Sequence, residues 1–231
     1  MGDWSKWELG RERLPERAII FGGNTPRSSI DRMVNSYDRV LFHKHDNYEP
    51  FIVESNGAET LLVFQVYGAA LVADLLWLLA DGGVGSAVFV GAAYGRHPEL
   101  RVADCVVPTK VRCLDGFSTA VGAANYVHPD PDLRDQLLVA LRTAGESFRE
   151  GPTVSVPSTF FHGDEAQIPP EVLALEIEAA SFLHVANRNS LSAAAVLIIS
   201  DNATHTLRDD RATRDERILR VFNALRDPVA R

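Results

Sequence analysis

The chain has 231 residues, 46% hydrophobic and 23% charged, which is enough ordinary globular material for one α/β domain with a complete core. A formal net charge of -8 speaks against a general nucleic-acid binder, which needs a basic footprint to displace counterions from phosphates, and favours a small-molecule ligand. Two cysteines, Cys105 and Cys113, without metal-type CxxC spacing fit buried, reduced thiols in a cytoplasmic protein rather than a secreted disulfide scaffold.

The segment Met1 to Arg13 is charged from its start and lacks the apolar run of a signal peptide, so residues 1–16 read as an N-terminal extension. Runs rich in Val, Ile and Leu predict strands at Arg17 to Phe21, Arg39 to His43 and Phe51 to Glu54. Leu61 to Ala80 is apolar enough to raise a membrane span, but Gln65 and Asp74 interrupt it and Tyr67-Gly68 changes its period. A buried strand, Thr60 to Val66, leading into a buried helix, Ala69 to Ala80, is the better reading. Strands follow at Ala87 to Gly91, Asp104 to Thr109 and Thr153 to Val156, with a helix at Pro131 to Ala144 between the last two. The final third predicts a strand at Leu173 to Ile177, a helix at Ala179 to Arg188, a strand at Ala194 to Ser200 and a helix at Arg211 to Leu225. Alternating strands and helices, several strands apolar on both faces, imply a single α/β domain with a central mixed sheet flanked by helices. No repeat or low-complexity linker divides residues 1–231; the Pro and Gly clusters read as turns.

Chemistry concentrates at two strand ends. Leu173, Leu175 and Ile177 alternate with Ala174, Glu176 and Glu178, after which the pattern turns helical, so Glu178 falls where strand gives way to helix. Four apolar residues, Val196 to Ile199, lead into Ser200-Asp201-Asn202, and open α/β sheets bind ligands just beyond the carboxyl ends of their strands. Asp201 is therefore the leading acid-catalyst candidate; standing alone, a strand-end aspartate is more often a helix cap or turn acid. His43, His45 and His205 could reach a substrate or a neighbouring subunit, although surface or satisfied core histidines are commoner.

Five segments in order resemble the nucleoside phosphorylase and nucleosidase superfamily, which includes bacterial purine nucleoside phosphorylase, uridine phosphorylase and methylthioadenosine nucleosidase. Ile19 to Arg27 stands where that family has a GDPxR-like phosphate loop, and Val88 to Gly95 where it has a glycine-rich VGxxGG-like strand end. Leu100 to Pro108 is similar to its LKVGDVVIP, Leu175 to Ala179 to its VEMEA, and Ile199 to Asp201 to its SD strand end.

The resemblance implies the nucleoside phosphorylase-like α/β/α fold and cleavage of an N-glycosidic bond. Asp201 would protonate the departing base, its pKa raised by burial, and Arg214, thirteen residues later, would engage that acid. Glu178 would bind the ribose hydroxyls over Ile177, Phe160 would stack on the base, and Glu176, Ala93 and Tyr94 would line the substrate. Gly23, Asn24, Arg27 and Ala92 would meet phosphate, another anion or the attacking water. Bland readings stand beside these: Glu176 as a structural partner, Phe160 and Phe161 as core, Arg214 as a solvated helix charge. No metal or organic cofactor is implied, phosphate being a possible co-substrate, and neither nucleic acid nor membrane is an expected partner. A dimer or hexamer is implied, with Phe42, Tyr48 and Phe51 as a possible apolar contact surface.

Departures from the family pattern bear on the reaction. Phe89 and Ala92 replace an arginine and a serine or threonine that hold phosphate, and Asn24 stands nearest to a water-positioning glutamate of the hydrolytic members. Tyr94 replaces a glycine and adds a ring to the pocket floor, while Asp164 and Ala166 replace the uracil-reading residues. The residues thus favour water or another acceptor slightly over phosphate. Conventional phosphorolysis and a non-catalytic nucleoside-binding or interaction role are the alternatives.

Overall fold

The computed structural model describes residues 4–23, 25–160, 168–203 and 211–226. In chain order its elements are α1 (Trp4–Leu9), β1 (Arg17–Gly22), α2 (Arg27–Val34), β2 (Arg39–His43), β3 (Glu49–Ser55), β4 (Ala58–Val66), α3 (Ala69–Asp81), β5 (Ser86–Gly95) and β6 (Cys105–Cys113). There follow α4 (Phe117–Ala120), β7 (Tyr126–Val127), α5 (Pro131–Thr143), β8 (Phe148–Ser155), β9 (Ala174–Glu176), α6 (Ala179–Arg188), β10 (Ser192–Asn202) and α7 (Arg211–Arg226). The strands form one mixed sheet in the order β10-β6-β8-β9-β5-β1-β4-β3-β2, and β10 also pairs with β5, so five strands close a ring. Parallel pairs β1–β4, β1–β5 and β5–β10 occupy its centre. The hairpins of β2, β3 and β4 form the antiparallel edge.

Period-two alternation explains why β5 is central. Ala87 and Phe89 face a core with Leu75 and Leu76 of α3 and Phe182 and Leu183 of α6. Val88 and Val90 face the opposite core, with Ile30 and Met33 of α2, Leu137 and Leu141 of α5 and Phe222 of α7. Helices thus cover both sheet faces, the arrangement expected for strands apolar on both sides. Asp130 begins α5 by accepting from the Leu133 amide at 2.8 Å, with Pro131 preset for the first turn.

The apolar stretch from Leu61 to Ala80 splits between β4 and α3 as its change of period implies. Among the described residues, no helix is long and apolar enough to cross a membrane. Cys105 and Cys113 are buried and free. The suggested contact surface of Phe42, Tyr48 and Phe51 requires correction, because Tyr48 and Phe51 are buried within the chain itself and Phe42 packs against its core. The Tyr48 hydroxyl reaches the Leu71 carbonyl and Phe51 stacks on His43, which consumes the apolar area within one copy.

Candidate active site

Three parallel strands, β1, β5 and β10, end side by side, and β9 meets the last residues of β5 in an antiparallel pair, Tyr94 opposite Leu175. Beyond these ends lies a cavity of about 480 Å³. Its walls include Gly23, Ala92, Ala93, Tyr94, Phe160, Glu176, Ile177, Glu178 and Asp201, together with Tyr67, Thr159, Ser200 and Asn202. Nine of the twelve sequence candidates therefore meet around one space.

Glu176 is tied into the backbone. Its carboxylate accepts from the Ser155 hydroxyl, from the Glu178 amide at 2.7 Å and from the Ala179 amide, while the Ser155 oxygen accepts from the Ala180 amide at 2.8 Å. These bonds satisfy the first amides of α6 and fix the strand-to-helix turn. Glu178, the residue at that turn, does not cap its own helix; its Oε1 accepts from the Gly68 amide at 2.8 Å, at the start of α3. Gly68 has φ 89° and ψ 158°, a backbone region that side-chain-bearing residues avoid, and this conformation aims its N–H at Glu178.

Both glutamates are about 5% exposed or less. Burial pushes Glu176 up to about 7, against the Ser155 hydroxyl and the Ala179 and Glu178 amides, which pull it down. Burial first, and the Glu176 charge second, push Glu178 up to about 8, against the amides of Gly68 and Ile177. With more donors on Glu176, the first negative charge of the pair settles there and Glu178 keeps its proton to higher pH.

Asp201 is placed differently. Strand β10 slips register against β5 between Ile199 and Asp201, so Ser200 is an extra residue and Asp201 comes opposite Tyr94. Such a bulge re-aims the side chain that follows it. The Ser200 hydroxyl donates to Asp201 Oδ2 at 2.8 Å. The burial expected of Asp201 is not found: the run Ala193 to Ile199 is buried, whereas Ser200 and Asp201 are half-buried at the cavity wall.

The remaining candidates are dispersed. Arg27 heads α2 and pairs with buried Glu49 and, at 3.7 Å, with Asp31; it does not line the cavity. Arg214 pairs with its neighbour Asp215 at 3.2 Å and lines an adjoining space of about 60 Å³ that shares Gly23, Ala92 and Ser200 with the main cavity. Phe160 is 86% exposed, so it is not core. His43 contacts Glu49 at 3.3 Å and stacks on Phe51. Asn24, Phe161, Asp164, Ala166 and His205 lie outside the described residues.

Phe89 is fully buried, its ring against Phe182 at 5.4 Å between centroids. A Cβ on Gly22 or Gly91 would stand 2.5 or 2.4 Å from that ring, so it fills the space beneath two adjoining strand ends. Sequence reasoning singled out Gly68 only as a change of period and missed its amide as the partner of Glu178. Ser155 went unremarked, and Tyr67 was noted only with Gly68; the glycine before a helix was the available signal. Among the described residues no group of three or more His, Cys, Asp or Glu forms a metal site.

The fold defines an α/β protein with a cavity of clustered acids at its parallel strand ends, where open sheets usually bind ligands. The chain belongs to the phosphorylase superfamily, whose family model matches residues 18–227. It is 25% identical over 178 residues to a guanosine phosphorylase of Halorubrum lacusprofundi, a match covering 75% of this chain and 74% of that protein. The fold is shared with uridine phosphorylase of Vibrio fischeri ES114, with TM-score 0.77 and 18% identity over 92% of this chain and 90% of the other. A Campylobacter jejuni 5'-methylthioadenosine/S-adenosyl homocysteine nucleosidase gives TM-score 0.74 and 19% identity over 92% and 98%.

Proposed function

We propose that the protein cleaves, or in reverse forms, the N-glycosidic bond of a nucleoside or nucleoside-like substrate, with Asp201 as general acid and Glu178 as ribose anchor. The observation that carries this reading is that both side chains wall one 480 Å³ cavity, with Glu178 held by the Gly68 amide. As the C–N bond breaks, its electron pair leaves with the base and positive charge develops on the sugar. Asp201 protonates the base; its half-buried position leaves it able to recover a proton from solvent. An ionised Glu178 accepts the ribose hydroxyls and its charge favours the oxocarbenium-like transition state. Tyr94 and Phe160 supply rings to the base end of the cavity.

Water is the favoured acceptor. Phe89 puts an apolar ring where phosphorolytic relatives place an arginine, and Arg27 is committed to Glu49 and Asp31. Phosphorolysis is the second reading, supported by Arg214 and Thr25 beside the small adjoining space and by the similarity to a guanosine phosphorylase. The same proposal takes the enzyme to be a cytoplasmic homo-oligomer that uses no organic cofactor. Incubation with guanosine, uridine and methylthioadenosine, with and without phosphate, tests it. Equal base release without phosphate is expected; release that requires phosphate and yields sugar 1-phosphate overturns the choice of water. Saturable binding without any release would overturn catalysis itself.

A further inference from the structure

A second cavity, of about 680 Å³, lies between α1 and α3 and shares no lining residue with the strand-end site. Helix α1 contributes Trp4 and Glu8, α3 contributes Asp74, Trp77 and Asp81, and Tyr48 closes the inner wall. Helix α1 precedes residue 18, where the family match begins, so this wall lies outside the matched segment. The volume is that of a small-molecule site.

The chemistry of the walls is one-sided. Three carboxylates line the cavity, and none of its lining residues is a lysine, arginine or histidine. Glu8 Oε2 is buried without a hydrogen-bond partner, and a buried acceptor calls for a donor. Trp4 and Trp77 remain 60% and 45% exposed, offering indole surface of the kind that attracts cations. Burial first, and then the charges of Asp74 and Glu8, push the Tyr48 phenol upward.

The spacing along α3 is specific. Asp74, Trp77 and Asp81 stand at i, i+3 and i+7, hence on one face, with Trp77 between the two acids. Seven residues of helix separate those acids by about 10 Å along the axis. An extended triamine of the spermidine type spans that distance between its terminal nitrogens, and its methylenes match an indole face. We propose that this cavity binds a linear polyamine lying along α3, with ammonium groups at Asp74 and Asp81 and the methylene chain over Trp77, while Glu8 accepts from the inward-facing nitrogen. A single compact metal ion does not fit carboxylates so far apart, and an anion finds no cationic side chain.

The test is calorimetric titration of the full chain with spermidine at constant ionic strength, alongside tryptophan emission, with putrescine and magnesium chloride as controls. Saturable spermidine binding that changes the emission is expected, weaker for the shorter diamine and undisturbed by magnesium at matched ionic strength. Asp74→Asn combined with Asp81→Asn should weaken it about tenfold, the combined effect of two partly exposed charge contacts. Both acids are exposed at the surface of α3, so this variant should keep the wild-type melting temperature, and the separate variant Trp77→Leu should reduce the emission response to what Trp4 contributes. Absence of saturable binding, equal competition by magnesium, or unchanged affinity in the double variant would overturn the proposal. So would sedimentation showing that a second copy of the chain covers the cavity and excludes spermidine.

Discussion

At the β9–α6 junction two carboxyl groups are almost fully buried and tied to backbone amides; at the end of β10 a third stands half-exposed beside a bulge, with a neighbouring hydroxyl on its carboxylate. The same functional group thus occupies two physical settings around one cavity. Burial raises Glu176 and Glu178 and immobilises them, which suits binding and orienting a sugar. Partial exposure leaves Asp201 within reach of solvent protons, which suits repeated proton delivery. On the proposed roles, deep burial goes with the anchor and partial exposure with the acid.

The sharpest way to break this division is Asp201→Asn, which keeps the shape and removes the proton. A fall in kcat of roughly 10²- to 10⁴-fold with little change in KM is expected, read from steady-state base release. An unchanged kcat would remove Asp201 from the chemistry.

Glu178→Gln should cost roughly 10- to 100-fold in kcat/KM, as loss of hydrogen bonds to a charged acceptor does. It should also change stability in a defined direction. The folded value of about 8 lies above the ordinary 4.5, so the native state holds more protons than the unfolded chain between those values. The stabilisation is full below the lower value and is lost as pH rises through the higher one. Thermal melts from pH about 5 to about 9 should therefore show a smaller decline for the variant than for wild type.

Gly68→Ala probes the amide that holds Glu178. A Cβ there meets nothing within 4 Å, so the cost is conformational, about 1–3 kcal/mol in global stability. Displacement of the amide should raise KM several-fold while kcat changes less, as seen in denaturant melts and saturation curves on the same sample.

The smallest expected effect is on the pH profile. Wild-type kcat/KM should rise with pH to a plateau above about 8 as Glu178 ionises. In Glu176→Gln the neighbouring charge is gone, so the rising limb should move to lower pH by about one unit. A shift in the opposite direction would mean that Glu176 stabilises the ionised form of Glu178 and that the assigned coupling is wrong.

Much of the architecture was legible because local pattern and tertiary burial agree. The helix from Ala179 to Arg188 was read with its observed ends, and the strands leading to Glu176 and Asp201 were placed within a few residues. Helices α1 and α2 were not expected. The latter begins after Pro26 and carries Ile30, Met33 and Val34 at helical spacing, a signal hidden by treating Arg27 as the end of a phosphate loop. Strand β7 is only two residues long and exists because it adds to β6; no local pattern announces it. Glu49 diverts Arg27 from a distance of 22 residues, which no local reading shows.

Alternation, strand-end acids and the order of the five segments determined the fold class, the family and most of the residues around the main cavity, because period and chain order are local properties. Only the tertiary structure decided which acids are buried, which amide holds Glu178 and where Arg27 turns. It alone also opened the second cavity under α1. Those outcomes depend on partners tens to more than a hundred residues apart, and burial and Coulomb interaction act through space rather than along the chain.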